Sequence, residues 1–283
     1  MKGFLLALPV LFALAAAPAP LSDSRAEPAL PTGRDIQDRP YPMLAYVRVF
    51  GGPFTAPLRW DQIAQGELGS CFFLSTLAAI AHDRPLAVSG AIRGDGHGAF
   101  VVTLQGADGR ARVIAVDDRF PATSSGKTFF ARGLDPREIR PALLEKAYAK
   151  LLGGYSAIDG GDASAAFLAL TGVVGADHAV AGLTEEQVWT LLTSARAENR
   201  PIVASTLEFP ELKRLTGRAD LGGVIDDHVY AVIGLVAGAG GRFVRLYTPL
   251  SPGDAGYAKD GPRLLELPLK AFKTDFDTIT VGR

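Results

Sequence analysis

A chain of 283 residues, 48% of them hydrophobic, is long enough to bury a good core as one large domain or two lobes. Its net charge of −1 gives no electrostatic case for nucleic acid or for an acidic substrate. Charged residues at 21%, with 32 glycines and 19 prolines, suit a loop-rich globular enzyme and not a disordered chain, and a single cysteine excludes a cysteine-based zinc cluster.

The first residues read as an export signal. Lys2 supplies a positive start, Phe4 to Ala17 an apolar stretch, and the Ala-Ala-Ala-Pro-Ala run the small residues a signal peptidase needs. About fourteen apolar residues are short for a membrane span, which takes roughly 20. We therefore expect a signal peptide over 1–19 and a secreted or periplasmic protein with no span after cleavage. A linker or N-terminal arm is expected over 20–57, rich in Pro, Ala, Asp and Arg up to Pro42 and carrying a short strand at Tyr46 to Phe50.

Gln65-Gly66-Glu67-Leu68-Gly69-Ser70-Cys71 follows, and it holds the chain's one cysteine. Leu74, Leu77, Ala78 and Ala81 recur at the spacing of one helix face, and Ser70 is a natural N-cap. Cys71 is thus expected in the first helical turn, where backbone N–H groups and the helix dipole favour a thiolate. Gln65 lies on a glycine-flexed loop that can fold its amide back beside the sulfur. A nucleophile and an oxyanion donor are two parts that acyl transfer needs. The plainer alternative is a small buried hydrophobe, the usual fate of a lone cysteine on an apolar helix. Export weighs against it, because an unpaired thiol in an oxidising compartment needs burial or a task.

Farther on, Phe100 to Leu104 and Ala111 to Val116 predict a hairpin across Ala107-Asp108-Gly109. Pro141 opens a helix with Leu143, Leu144, Ala147 and Leu151 on one face, Glu145 and Lys146 among its polar positions, and Gly153-Gly154 as its stop. Helices are expected at Asp162 to Leu170 and Glu185 to Glu198. Strands are expected at Ile202 to Thr206, Asp227 to Leu235, Arg242 to Tyr247 and Thr278 to Val281. The first half carries the main helices and the second is largely β.

A thiol nucleophile wants an imidazole. Of the four histidines, His82 sits at a helix end, His97 in a glycine-rich turn and His178 in a Gly/Ala loop on the surface. His228 differs, because it stands at the mouth of the apolar run Val229-Tyr230-Ala231-Val232-Ile233. That position holds a ring rigidly, for catalysis or merely for structure.

These segments resemble one family. Gln65 to Leu74 is similar to the nucleophile segment of calpain-like cysteine peptidases, Q-G-x-L-G-[DS]-C-[WF]-F-L. His228-Val229-Tyr230-Ala231-Val232-Ile233-Gly234 looks like their H-A-Y-S-V-T-G. Val116 to Pro121, Gly126-Lys127 and Pro141 to Leu151, with Gly153 and Tyr155, follow in family order. The resemblance covers about 58 to 282. It implies an α+β, papain-like two-lobed cysteine peptidase core at 58–283, with a helical nucleophile lobe to about 195 and a β-rich histidine lobe from about 196. It implies a cysteine endopeptidase acting on protein or peptide, with Cys71 as nucleophile, His228 as base, and Gln65 beside the Cys71 N–H as oxyanion donors.

The pattern breaks at the site. Where the family has the asparagine of R-N-P-W-G, this chain reads Arg245-Leu246-Tyr247-Thr248-Pro249-Leu250, so Thr248 stands in the orienter's place. Phe72 replaces the usual tryptophan beside the nucleophile. Two readings follow: a Cys71–His228 dyad weakly oriented by Thr248 or by a carboxylate such as Asp226 or Asp227, or an impaired relative that binds peptide in the cleft. Calcium, bound by cores of the family's animal members, has no recognisable loop here, and no other cofactor is implied. The oligomeric state is left open.

Overall fold

The computed structural model describes residues 44–52, 54–208, 224–251 and 263–283. The expected signal peptide and the arm up to residue 43 lie outside the described residues.

In chain order the elements are β1 (Ala45–Arg48), β2 (Ile63–Ala64), α1 (Cys71–Asp83), β3 (Ile92–Gly94), β4 (Ala99–Gln105), β5 (Ala111–Asp117), β6 (Arg119–Ala122) and β7 (Arg132–Gly133). Then come α2 (Arg140–Leu152), α3 (Ala163–Thr171), β8 (Ala176–Ala179), α4 (Glu185–Ala197), β9 (Ile202–Thr206), β10 (Val229–Gly238), β11 (Gly241–Tyr247), β12 (Leu264–Pro268), α5 (Leu269–Asp275) and β13 (Phe276–Val281). Helices are interspersed with strands along the chain, and the strands pair into antiparallel sheets, an α+β arrangement. No described helix is long and apolar enough to cross a membrane.

The α1 helix forms because its residues are apolar nearly all round. Phe72 to Ala81 are all buried, so it runs through the core and not along its surface. The α2 helix has proline in its first turn, and Gly153 at φ 103° terminates it, a left-handed cap that glycine takes without strain. The start of α4 is fixed by a capping box between Thr184 and Gln187.

Six strands make one antiparallel sheet in the order β12-β11-β10-β9-β13-β8. Alternation along β10 explains how it is covered. Val229 and Ala231 face the cluster built on α1, α2 and α3, while Tyr230 and Val232 face a second cluster with Val188, Leu192 and Phe272. The α1 helix thus packs on one face of the sheet, with α4 and α5 on the other. The expected boundary near residue 195 falls within α4, whose buried residues belong to this second cluster. The first half also has its own sheet, β3-β4-β5.

Two local expectations are corrected. His178 lies in a strand, β8, because Ala176 to Ala179 pairs with β13. The β10 strand starts at Val229 and not Asp227, since Asp227 takes φ 44°, a left-handed turn that an aspartate tolerates and a strand excludes. Glu145 and Lys146, the polar positions of α2, are both buried. Lys146 is held by Asp117 and by the Arg119 carbonyl, each at 2.7 Å. The remaining element ends move by a residue or so, apart from the C-terminal ends of β1 and β10 and the N-terminal end of β13, where pairing sets the limits.

Candidate active site

Cys71 is the first residue of α1 and is half-buried, with its thiol beside the Val229 and Phe72 backbone N–H groups. Val229 immediately follows His228, so the packing of α1 on β10 brings the two sequence-predicted partners to one place. A further tie holds them there, the Ser75 hydroxyl donating to the Val229 carbonyl at 2.6 Å.

The histidine is fixed from several sides. Its backbone N–H donates to Thr206 Oγ1 at 2.9 Å, and its carbonyl accepts from the Thr206 N–H at 2.9 Å. Its ring stands edge-on to Tyr230, with centroids 5.0 Å apart. Its Nε2 lies 2.8 Å from Thr248 Oγ1. Thr248 is fully buried, and its Oγ1 also accepts the Leu250 N–H at 3.1 Å. Thr248 engages Nε2, so Nδ1 is the ring nitrogen outside that contact. Asp226 and Asp227 are exposed, so the orienting contact on the ring comes from Thr248.

Burial acts against the thiolate expected at a helix start. Burial pushes the Cys71 thiol up to about 11, outweighing the Val229 and Phe72 N–H groups that favour a thiolate, and the Asp227 charge adds to the rise. Burial also pushes the His228 imidazole down to about 3. Both shifts favour the neutral thiol and the neutral imidazole over an ion pair. A helix start alone does not ionise a thiol that is withdrawn from water.

Gln65 is buried at the end of β2. Its backbone N–H donates to the Pro249 carbonyl at 2.9 Å, tying it to the loop that carries Thr248. Its side-chain Nε2 donates to the Leu68 carbonyl at 2.5 Å, and its Oε1 has no partner among the described residues. An amide NH2 carries two donors, so one remains after Leu68 is served. Gly66 at φ 80° makes the sharp turn here. A Cβ would come within 2.5 Å of the Phe129 carbonyl oxygen and 2.6 Å of that of Phe130.

Sequence reasoning missed the supports of this loop. Ser70 occupies the N-cap position without capping, because its hydroxyl donates to Glu145 Oε1 at 2.5 Å. A missing cap costs about 0.5–2 kcal/mol, which the Ser70–Glu145 bond, about 0.5–1.5 kcal/mol, offsets in part. Asp159 Oδ1 accepts the Gly69 N–H at 2.7 Å, and Gly160 N–H donates to the Gly69 carbonyl at 2.9 Å. Gly161 lets the Phe72 ring approach to where a Cβ would sit at 2.5 Å. The signal for Glu145 was its place on the same α2 turn as Leu144, but helical periodicity alone marks it as a flank.

Among the described residues, no group of three or more His, Cys, Asp or Glu side chains is gathered as a metal ion would require.

Comparison with known proteins identifies a family. The family model for calpain family cysteine protease matches residues 52–252. The chain is 27% identical over 203 residues to the calpain-type cysteine protease DEK1 of Zea mays, covering 69% of this chain and 9% of that protein. It is 30% identical over 182 residues to calpain-9 of Mus musculus, 61% of this chain and 25% of that protein. With the calpain-1 catalytic subunit of Bos taurus it shares 31% identity over 180 residues, 62% of this chain and 23% of the relative. The chain thus spans a quarter or less of the length of these relatives.

Proposed function

This chain belongs to the calpain family of cysteine proteases, and we propose that it is itself a working endopeptidase in which Cys71 and His228 act as a neutral pair. The observation that carries the reading is the juxtaposition at the start of β10. The Cys71 thiol lies against Val229, and the adjacent His228 has its Nε2 taken by Thr248, which supports a role for Nδ1 as the base.

In this reading the peptide lies in the cleft of a papain-like two-lobed core. His228 Nδ1 takes the thiol proton as Cys71 Sγ attacks the scissile carbonyl. The resulting imidazolium donates its Nε2–H to Thr248 Oγ1. The Cys71 N–H and the Gln65 amide hold the oxyanion, and the imidazolium then gives its proton to the departing amine. Water, deprotonated by the same imidazole, releases the acyl group and restores the thiol. No step runs through a metal. The N-terminal sequence adds the proposal that the protein is exported through a signal peptide over 1–19.

A second reading is favoured by one observation, the resting thiol pushed up to about 11. A cleft with an inert thiol would serve as a peptide-binding module. Purified protein offered a panel of internally quenched fluorogenic peptides separates the two. Cleavage that Cys71→Ser abolishes supports the peptidase. Saturable peptide binding without cleavage, equal in wild type and Cys71→Ser, overturns it.

A further inference from the structure

The Glu145 carboxylate is buried on α2, away from bulk water, and each of its oxygens accepts one bond. Oε1 takes the Ser70 hydroxyl at 2.5 Å, and Ser70 is the residue directly before the nucleophile. Oε2 takes the Ala131 N–H at 2.9 Å. Ala131 directly precedes β7, which pairs with β2 so that Arg132 lies opposite Ala64, the residue directly before Gln65. The same stretch walls the loop between: Phe129 O accepts the Glu67 N–H at 3.0 Å, and the Phe129 and Phe130 carbonyls crowd Gly66. One carboxylate therefore spans both ends of the 65–71 loop.

We propose that Glu145 is a positioning residue for the reaction, setting the separation of the two oxyanion donors, the Gln65 amide and the Cys71 N–H, by bridging Ser70 and Ala131. The inference rests on the peptidase reading for its chemical consequence and on the bridge alone for its structural one. The space beside the carboxylate, lined by Phe130, Ala142 and Tyr155, is too tight for a water molecule, so a lost partner is not replaced by solvent. The Ser70 hydroxyl has a second use if released, since it sits where an N-cap would take an N–H of the first turn of α1. Glu145 thus also keeps that hydroxyl from competing for donors beside the thiol.

The test is a double-mutant cycle with Glu145→Gln, Ser70→Ala and the double variant. It reads kcat and KM on a fluorogenic peptide, and amide hydrogen exchange of the peptide spanning 65–71. Each single change is expected to lower kcat about tenfold with KM nearly unchanged, because misplaced donors are felt in the transition state. The double variant is expected to be no worse than the worse single, because both changes cut one bridge. Exchange in the 65–71 segment should rise in both singles. Losses that multiply in the double variant, or unchanged kcat and exchange in a folded single variant, overturn the proposal. Should Glu145→Gln fail to fold, Ser70→Ala alone decides, by its kcat and its exchange. A wild type without turnover sinks the peptidase reading, and hydrogen exchange then still decides whether the bridge fixes the loop.

Discussion

Thr248 Oγ1 lies 2.8 Å from His228 Nε2 and, on the other side, 3.1 Å from the Leu250 N–H. A hydroxyl differs from an amide carbonyl in one consequential way: it can donate as well as accept. When Oγ1 accepts from Nε2–H, Nδ1 is bare and ready to take the thiol proton. When the hydroxyl donates to Nε2, the proton sits on Nδ1 and the base is blocked. Thr248 holds the ring in place without fixing its tautomer.

Thr248→Asn, which supplies an obligate acceptor, is therefore expected to raise kcat several-fold with little change in KM, as measured by peptide turnover. Thr248→Val removes the acceptor for both N–H groups. With Thr248 fully buried, that change should cost about 1–3 kcal/mol of stability in denaturant titration and lower kcat as well.

Glu145 gives a pH dependence of stability with a definite sign. Burial raises its carboxyl to about 7, partly countered by the Ser70 and Ala131 bonds and the Arg132 charge. The folded state therefore favours the protonated form. This contribution is fully present below the ordinary value near 4.5 and is lost as pH rises through about 7. Wild type should lose up to roughly 3 kcal/mol relative to Glu145→Gln between pH 4.5 and 8, read by thermal melts of both proteins. A constant difference across that range contradicts it.

His228 works in the opposite sense. Burial lowers its imidazole to about 3, so the folded state favours the neutral ring. Stability from this group is present above about 6.5 and declines as pH falls toward 3. His228→Gln should flatten the acid limb of the stability profile by a few kcal/mol, on the order of the shift.

Gly66→Ala places a methyl against two carbonyl oxygens at 2.5 and 2.6 Å and forces a non-glycine residue to φ 80°. We expect a loss of about 1–3 kcal/mol in stability and a larger fractional loss in turnover than in peptide affinity, because the Gln65 amide moves.

Much of this site was legible in the sequence because its parts are local. The apolar run after Cys71 gave a helix, the run after His228 a strand, and the proline register put Thr248 opposite the ring. What stayed hidden depends on distance in the chain. Glu145 read as a polar flank because periodicity says which face a residue takes, and not that a serine 75 positions earlier awaits it there. The burial of the thiol stayed hidden for a similar reason. A helix start and its N–H groups are visible in sequence, whereas the burial that outweighs them comes from the packing of α1 on β10. The β8 strand was missed because its partner, β13, lies about a hundred residues away.

The central claim is that a neutral Cys71–His228 pair performs nucleophilic attack with the imidazole as base. It is tested most directly by the pH dependence of inactivation by a peptidyl chloromethyl ketone, in wild type and His228→Ala. We predict alkylation of Cys71 at pH 6 to 8 that drops by about 100-fold or more in His228→Ala, within the range for loss of a general base. Labelling that is the same in both proteins and simply follows an ordinary thiol titration near 8.5 would contradict the account.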